Sequence, residues 1–290
     1  MKVSGFTFIR NAVRLDYPIV EAITSILPIC DEFIVMVGNS DDETRQLIES
    51  INSPKIRIYD STWDESLRSG GRVLAVETNK AFSKIATDTN WAFYIQGDEV
   101  MHEDYLQVLR DAMLHYLNDD DVEGLLLKYL HFYGSYDFVG DSARWYRKEI
   151  RIVKYNQGIT SFRDAQGFRK NDRLIRVKAV DAVMHHYGWV KPPEKQQEKQ
   201  QQFHRLWHND EKVKVMVGTA QRFDYSSIDS LARFSGSHPG VMKSRIQQKN
   251  WKFDFDPTKK KLSLKSRFKQ WVERKTGWRI GEYKNYKLIR

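Results

Sequence analysis

Over residues 5–115, short apolar-rich runs alternate with stretches whose apolar residues recur every three or four positions. Phe6–Ile9, Phe33–Val37, Lys55–Tyr59 and Trp91–Ile95 are the runs and read as strands; Phe33–Val37 and Trp91–Ile95 are unbroken and read as buried, whereas Lys55 and Arg57 interrupt the third. Between them the helical spacing returns. Asp16 is placed to cap a helix to about Leu27, with Ile19, Val20, Ile23, Ile26 and Leu27 on one face. Ser40 and Glu43 have capping-box spacing ahead of Leu47, Ile48 and Ile51. A third helix follows Arg72, carrying Leu74, Ala75, Ala81, Phe82 and Ile85; a fourth buries Tyr105, Leu106, Leu109 and Met113. Repeated β-α units with buried strands predict an α/β fold, a Rossmann-type, mostly parallel sheet with helices on both faces. In such sheets ligands bind beyond the carboxyl ends of the strands.

The pattern changes after residue 120. Residues 123–134, 148–155, 173–180 and 182–189 read as strands without regular crossover helices, which predicts antiparallel additions to the sheet. Residues 192–208, opened by Pro192 and Pro193, form a polar helix expected to be exposed. The chain divides on this reading into a main domain, 1–225, and a mainly helical extension, 226–290.

Charge sharpens that division. The net charge is +9, but residues 258–290 hold twelve Lys or Arg against two Glu, which leaves the rest of the chain at −1. A main domain without a basic excess is not built for nucleic acid. The extension places Leu264, Phe268, Trp271 and Val272 on one helical face, with Lys265, Arg267, Lys269 and Arg274 around it. Either that face packs on the main domain, or it makes a peripheral contact with an anionic membrane surface. A single cysteine, Cys30, excludes an intrachain disulfide. With no apolar run long enough for a signal peptide or a membrane span, the expected location is the cytoplasm, at most peripheral to the inner face of the membrane.

The strand ends carry the candidate chemistry. Arg10 and Asn11 follow the first run, residues 38–42 the second, residues 69–72 the third, and Gln96-Gly97-Asp98-Glu99 the fourth. Asp98 and Glu99 can serve a helix N-terminus, but the next helix already has Glu103 and Asp104 in its first turn. Two more acids there would repel one another unless a cation sits near.

The order of these segments, 8–27, 31–44, 78–85 and 91–100, resembles the nucleotide-sugar glycosyltransferases of family two, bacterial type, with the GT-A fold. The resemblance implies transfer of a sugar from a nucleotide-sugar donor to a glycan or lipid-linked acceptor, with inversion at the anomeric carbon, as in cell-envelope polysaccharide biosynthesis. In that family an Asp-X-Asp motif ends the fourth strand, and its last Asp holds a divalent metal that bridges the donor diphosphate. Here the motif is Gln96-Gly97-Asp98, and Val37-Gly38 stands where an acidic pair often follows the second strand. The resemblance therefore implies Mg2+ or Mn2+ on Asp98, aided by Glu99 or by a late histidine, His186 rather than His185. It implies a donor site lined by Arg10, Asn11, Asn39, Asp41, Arg72 and Gln96. Deprotonating the acceptor needs a carboxylate; Asp164, in a glycine-containing loop, is the first candidate and Glu149 the second. Two other readings stay open. One is a nucleotidyltransferase, which should have a Gly-rich phosphate loop after its first strand. The other is a non-catalytic nucleotide-binding or scaffold protein.

Overall fold

The computed structural model describes residues 1–67, 69–155 and 157–289. The chain opens with four β-α units. Strand β1 (Val3–Ile9) leads to helix α1 (Ile19–Ile26), β2 (Glu32–Gly38) to α2 (Thr44–Glu49), β3 (Ile56–Ser61) to α3 (Arg72–Phe82), and β4 (Trp91–Tyr94) to the three-residue strand β5 (Glu99–Met101) and α4 (Leu106–His115). β1 pairs in parallel with both β2 and β4, and β2 with β3, so the order is β3-β2-β1-β4. The order reverses between β1 and β4, which leaves a crevice at their carboxyl ends.

The second half extends this sheet. β6 (Gly124–Tyr133), β7 (Ser135–Gly140) and β8 (Lys148–Lys154) follow, with β8 antiparallel to β4 and to β6. β9 (Ile159–Phe162), β10 (Gly167–Lys170) and β11 (Arg173–Leu174) form a small separate sheet. Residues expected as two strands are one long strand, β12 (Arg176–Trp189), parallel to β6 with irregular register after Ala179. Helices α5 (Pro193–Arg205) and α6 (Asp210–Val217) come next. The remainder holds β13 (Leu231–Arg233), α7 (Lys243–Gln247), α8 (Leu264–Thr276) and β14 (Lys287–Leu288). This segment returns to the sheet twice, β13 against β7 and β14 against β12.

The core lies in layers on both faces of the sheet. On one face Ile19, Ile23 and Ile26 of α1 and Leu109 and Met113 of α4 pack on Phe33, Val35, Trp91 and Phe93. On the other, Ala81 and Ile85 pack with Phe168 and Ile159 of the small sheet over Phe6, Ile34 and Tyr94. Alternate residues of one strand serve opposite layers, as the pleat dictates. Cys30 is sealed beneath Gly5 in the first layer, and burial pushes its thiol up to about 12.

Two expected caps do not form. Pro18, not Asp16, precedes α1; Asp16 has a left-handed backbone and pairs with Arg245 of α7 at 2.5 Å. The Ser40 hydroxyl accepts the Asn11 N–H at 3.0 Å instead of capping α2. Both side chains are spent tying loops across strand ends, a demand invisible in local spacing. Among the described residues no helix is long and apolar enough to cross a membrane.

Candidate functional site

A cavity of about 940 Å³ opens at the carboxyl ends of β1 and β4 and is covered by α5. Arg10, Asn11, Asp41, Gln96, Asp98, Asp164 and His186 line it; Asn39, Arg72, Glu99 and Glu149 do not. Asn11 takes the left-handed backbone that an Asn tolerates, and its Oδ1 accepts the Asp41 N–H at 3.0 Å. Asn39 is exposed and structural: its carbonyl accepts from Arg10 Nε at 3.1 Å, and its Oδ1 from the Trp63 N–H at 3.2 Å. Trp63 lines the cavity beside Arg10, whose guanidinium lies 5.6 Å from its ring centre. Arg72 begins α3 exposed to solvent.

The two carboxylates after β4 meet two different cations. Glu99 is fully buried and receives Arg151 of β8 in fork geometry, Nη2 to Oε1 at 2.8 Å and Nε to Oε2 at 2.9 Å. Its oxygens also accept the Tyr129 hydroxyl at 2.7 Å and the Gln96 N–H at 3.0 Å. The guanidinium lies 5.3 Å from the ring centres of both Tyr94 and Tyr129. Glu99 therefore has no oxygen left for a metal, and the ligand role expected of it is corrected: it anchors Arg151, which itself lines the cavity. Removing one member of so buried a pair leaves the other charge uncompensated.

Asp98 faces the cavity, and its Oδ2 accepts from Lys199 Nζ at 2.8 Å. Burial alone would raise the carboxyl pKa, but the charge of Lys199 outweighs it and holds it well below the usual carboxylate range. Lys199 also donates to the Gly188 carbonyl at 2.9 Å and lies 4.9 Å from the Tyr17 ring centre. A second lysine, Lys191, is fully buried with its Nζ 4.6 Å from the centre of the same ring, and it donates to the Asp16 carbonyl. Its burial, then the charge of Lys199, lowers its pKa to about 7. Gly188 lets β12 close on this group: a Cβ there would stand 2.7 Å from Asp98 Oδ2.

The second oxygen, Oδ1, lies 3.7 Å from His186 Nε2. A chain of hydrogen bonds fixes the tautomer of that histidine. His131 Nε2 lies 2.8 Å from the Tyr146 carbonyl, which can only accept, so His131 carries its proton there. His131 Nδ1 is then an acceptor, 3.2 Å from His186 Nδ1, which must donate. His186 Nε2 is thereby left with a lone pair facing a carboxylate. Burial lowers the pKa of both rings, so neither relieves the contact by gaining a proton easily. Two lone pairs facing one another call for a cation between them. Ligands about 2.1 Å from one ion lie ~3 Å apart at a right angle and ~4 Å apart when opposed. The observed separation falls in that range, so Asp98 and His186 fit a divalent metal. Among the described residues no cluster of three or more His, Cys, Asp or Glu could hold one unaided. Such a pair suits an ion that completes its shell with phosphate and water.

Alternation along β12 sends His185 the other way. It packs against Phe132, Phe234 and His102, and burial followed by His102 lowers its pKa to about 3. Asp164 lies in the turn between β9 and β10, and burial raises its pKa. Gly71, with φ +67, allows the close approach: a Cβ there would stand 2.9 Å from both Asp164 Cβ and the Trp207 ring. Glu149 is sealed behind the cavity wall, accepting from Asn285 Nδ2 at 3.1 Å, and burial raises its pKa to about 7.

Sequence reasoning missed Lys199, Lys191, Arg151 and His131. It placed α5 in solvent, whereas Gln196, Gln197 and Lys199 are buried. No local signal marked that burial, since a helix without an apolar stripe reads equally as an exposed one.

Fold and cleft together define a GT-A-like α/β protein with a polar, strand-end site. No family model and no curated protein matches the chain. Among solved structures, S. aureus TarS aligns with 70% of this chain and 39% of its own at 16% identity and a TM-score of 0.39. Glucosyl-3-phosphoglycerate synthase from Mycobacterium tuberculosis, in complex with Mn2+, uridine diphosphate and phosphoglyceric acid, aligns with 45% of this chain and 43% of its own at 18% identity and a TM-score of 0.31. The chain thus spans less than half the length of either protein. Superpositions this loose transfer neither an activity nor a residue role.

Proposed function

We propose that the protein is a glycosyltransferase that moves a sugar from a nucleoside-diphosphate donor to a hydroxyl acceptor with inversion, using a divalent metal. The observation that carries this reading is the pair of lone pairs on Asp98 and His186, 3.7 Å apart at the switch point of the sheet. Asp98 Oδ1 and His186 Nε2 would hold Mg2+ or Mn2+, with His131 fixing the histidine tautomer. When bound, that ion would offset charge on the departing diphosphate. Lys199, Arg151 and Arg10 keep positive charge along the same cleft, and Asn11, Asp41, Gln96 and Trp63 line the donor end. Asp164 takes the proton from the acceptor hydroxyl as its oxygen bonds to the anomeric carbon and the bond from that carbon to the diphosphate breaks. Glu149, outside the cavity, is not placed to do so.

Calorimetry with a panel of nucleoside diphosphates, each with Mn2+ or with EDTA, tests the donor half of this reading. At least one nucleotide should bind with Mn2+ and weaken by tenfold or more in EDTA; no binding under either condition would remove the transferase reading. Asp164→Asn tests the acceptor half. Transfer should fall by about 100-fold or more while donor affinity stays within about twofold. A variant that transfers at the wild-type rate would clear Asp164 of the base role.

A further inference from the structure

Helix α8 is inside out. Its sequence sets Leu264, Phe268 and Trp271 within about 60° of one another at ~100° per residue, with Gln270 and Glu273 on the opposite side. In a helix of a globular domain the apolar side packs inward. Here the polar side does. Gln270 donates to Asp141 at 3.1 Å, Glu273 pairs with Arg147 at 3.0 Å and with Arg279 at 2.8 Å, and Arg274 reaches Asp141 at 3.1 Å. The apolar side is turned to solvent: Leu264 is 83% exposed, Phe268 59% and Trp271 58%, with Trp278 just beyond the helix at 61%. Leu264, Phe268 and Trp271 thus do not pack on the main domain, one of the two expectations for this face; of the expected set only Val272 is half-buried. Ser263 caps the helix and Gly277 ends it with a left-handed backbone, so the helix is defined without an outside occupant.

We propose that this face docks on an anionic lipid bilayer, with Phe268, Trp271 and Leu264 entering the headgroup boundary. Charge selects this partner. Lys265 flanks the apolar stripe on one side and Arg267 on the other, Lys275 stands within it, and the segment from 258 onward carries +10. A second copy of the chain would bring that same positive charge against itself. An anionic surface meets apolar and basic groups together. The contact also bears on the cleft. Asp141 and Arg147, which hold α8, bracket the segment whose Arg144 and Tyr146 line the cavity. Helix α8 is therefore joined to the cleft wall by a short, salt-bridged connection, suiting an acceptor carried on a lipid. That last clause rests on the transferase reading; the docking itself does not.

The test is co-sedimentation of the full chain with vesicles of phosphatidylcholine alone or mixed with phosphatidylglycerol, without donor or metal. The protein should sediment with the mixed vesicles only, shift its tryptophan emission to the blue, and be released by raised salt. Phe268→Ser with Trp271→Ser should lower partitioning at least tenfold while shifting the melting temperature by only a few degrees, because both rings are more than half exposed. Lys265→Glu with Arg267→Glu should do the same through charge. No sedimentation of the wild type, or sedimentation unchanged in both double variants, would overturn the proposal. So would a dimer in sedimentation equilibrium that the Phe268/Trp271 variant dissociates while vesicle binding is absent. Nucleotide binding is measured separately, so a failure here leaves the transferase reading intact.

Discussion

Asp98 has two oxygens with two employments, and the division governs what its replacement does. One is held by Lys199 and one faces His186. From sequence, a strand-end acid looks dispensable to the fold. The buried lysine changes that: Asp98→Asn strands an ammonium, at a cost of about 3–5 kcal/mol. Denaturant melts should show this loss, and Asp98→Asn combined with Lys199→Gln should recover most of it. The double variant should still lack metal-dependent nucleotide affinity, which separates the two employments. Recovery of that affinity would return Asp98 to a purely structural role. His131 can be tested just as directly. His131→Gln keeps an acceptor for His186 and a donor for the Tyr146 carbonyl; His131→Phe keeps neither. Mn2+ affinity in the presence of nucleotide should fall about 10–100-fold in the Phe variant and much less in the Gln variant. Nitrogen chemical shifts of His186 should report the Nδ1–H tautomer in the wild type; the Nε2–H tautomer there would refute the relay.

At the scale of elements, the strands were legible and the polar surfaces between them were not. The apolar runs before residue 100 became β1, β2 and β4 because burial on both faces leaves a strand little choice of residue, while β3, at the sheet edge, was legible from its alternation of charged and apolar residues. The position of Asp98 beyond β4 followed, and so did the expectation of a nearby cation. What arrived was in part built in: Lys199, 101 residues beyond Asp98, and Arg151, 52 residues beyond Glu99. Pairings across such separations leave no periodic trace. The same holds for Ser40 and Asp16, whose spacing matched caps while their side chains answered to distant loops. Helix α8 shows the converse. Its amphipathic pattern was plain in the sequence, but which side faces the protein depends on Asp141 and Arg147, which no local pattern reveals.

For the whole molecule, the end of the described chain is part of the fold. β14 pairs with β12, Tyr286 is buried, and Asn285 donates to Glu149. Deleting residues 258–290 would expose that carboxylate site as well as remove α8, so point substitutions isolate the membrane face better than truncation. Glu149 also gives a pH signature. Its pKa is raised from 4.5 to about 7 by burial, so its favourable contribution is complete below about pH 4.5 and is lost as pH rises through 7. Glu149→Gln should match the wild type in urea melts near pH 5 and exceed it near pH 7.5. Equal stability at both pH values would place the ionised carboxylate in a better-solvated setting than its burial indicates.

Cys30 has a practical consequence. The chain has one cysteine, and that thiol lies under Gly5 with its pKa pushed up to about 12. Thiolate is the reactive form, so the native protein should be silent to maleimides and disulfide reagents at neutral pH. Any cysteine introduced on the surface becomes the single address for a label, with no background to remove. Placed at position 268, a polarity-sensitive dye would report bilayer entry; placed near Trp63, it would report nucleotide arrival. Left alone, Cys30 becomes a clock, since its modification rate in the unlabelled protein records how often the first core layer opens.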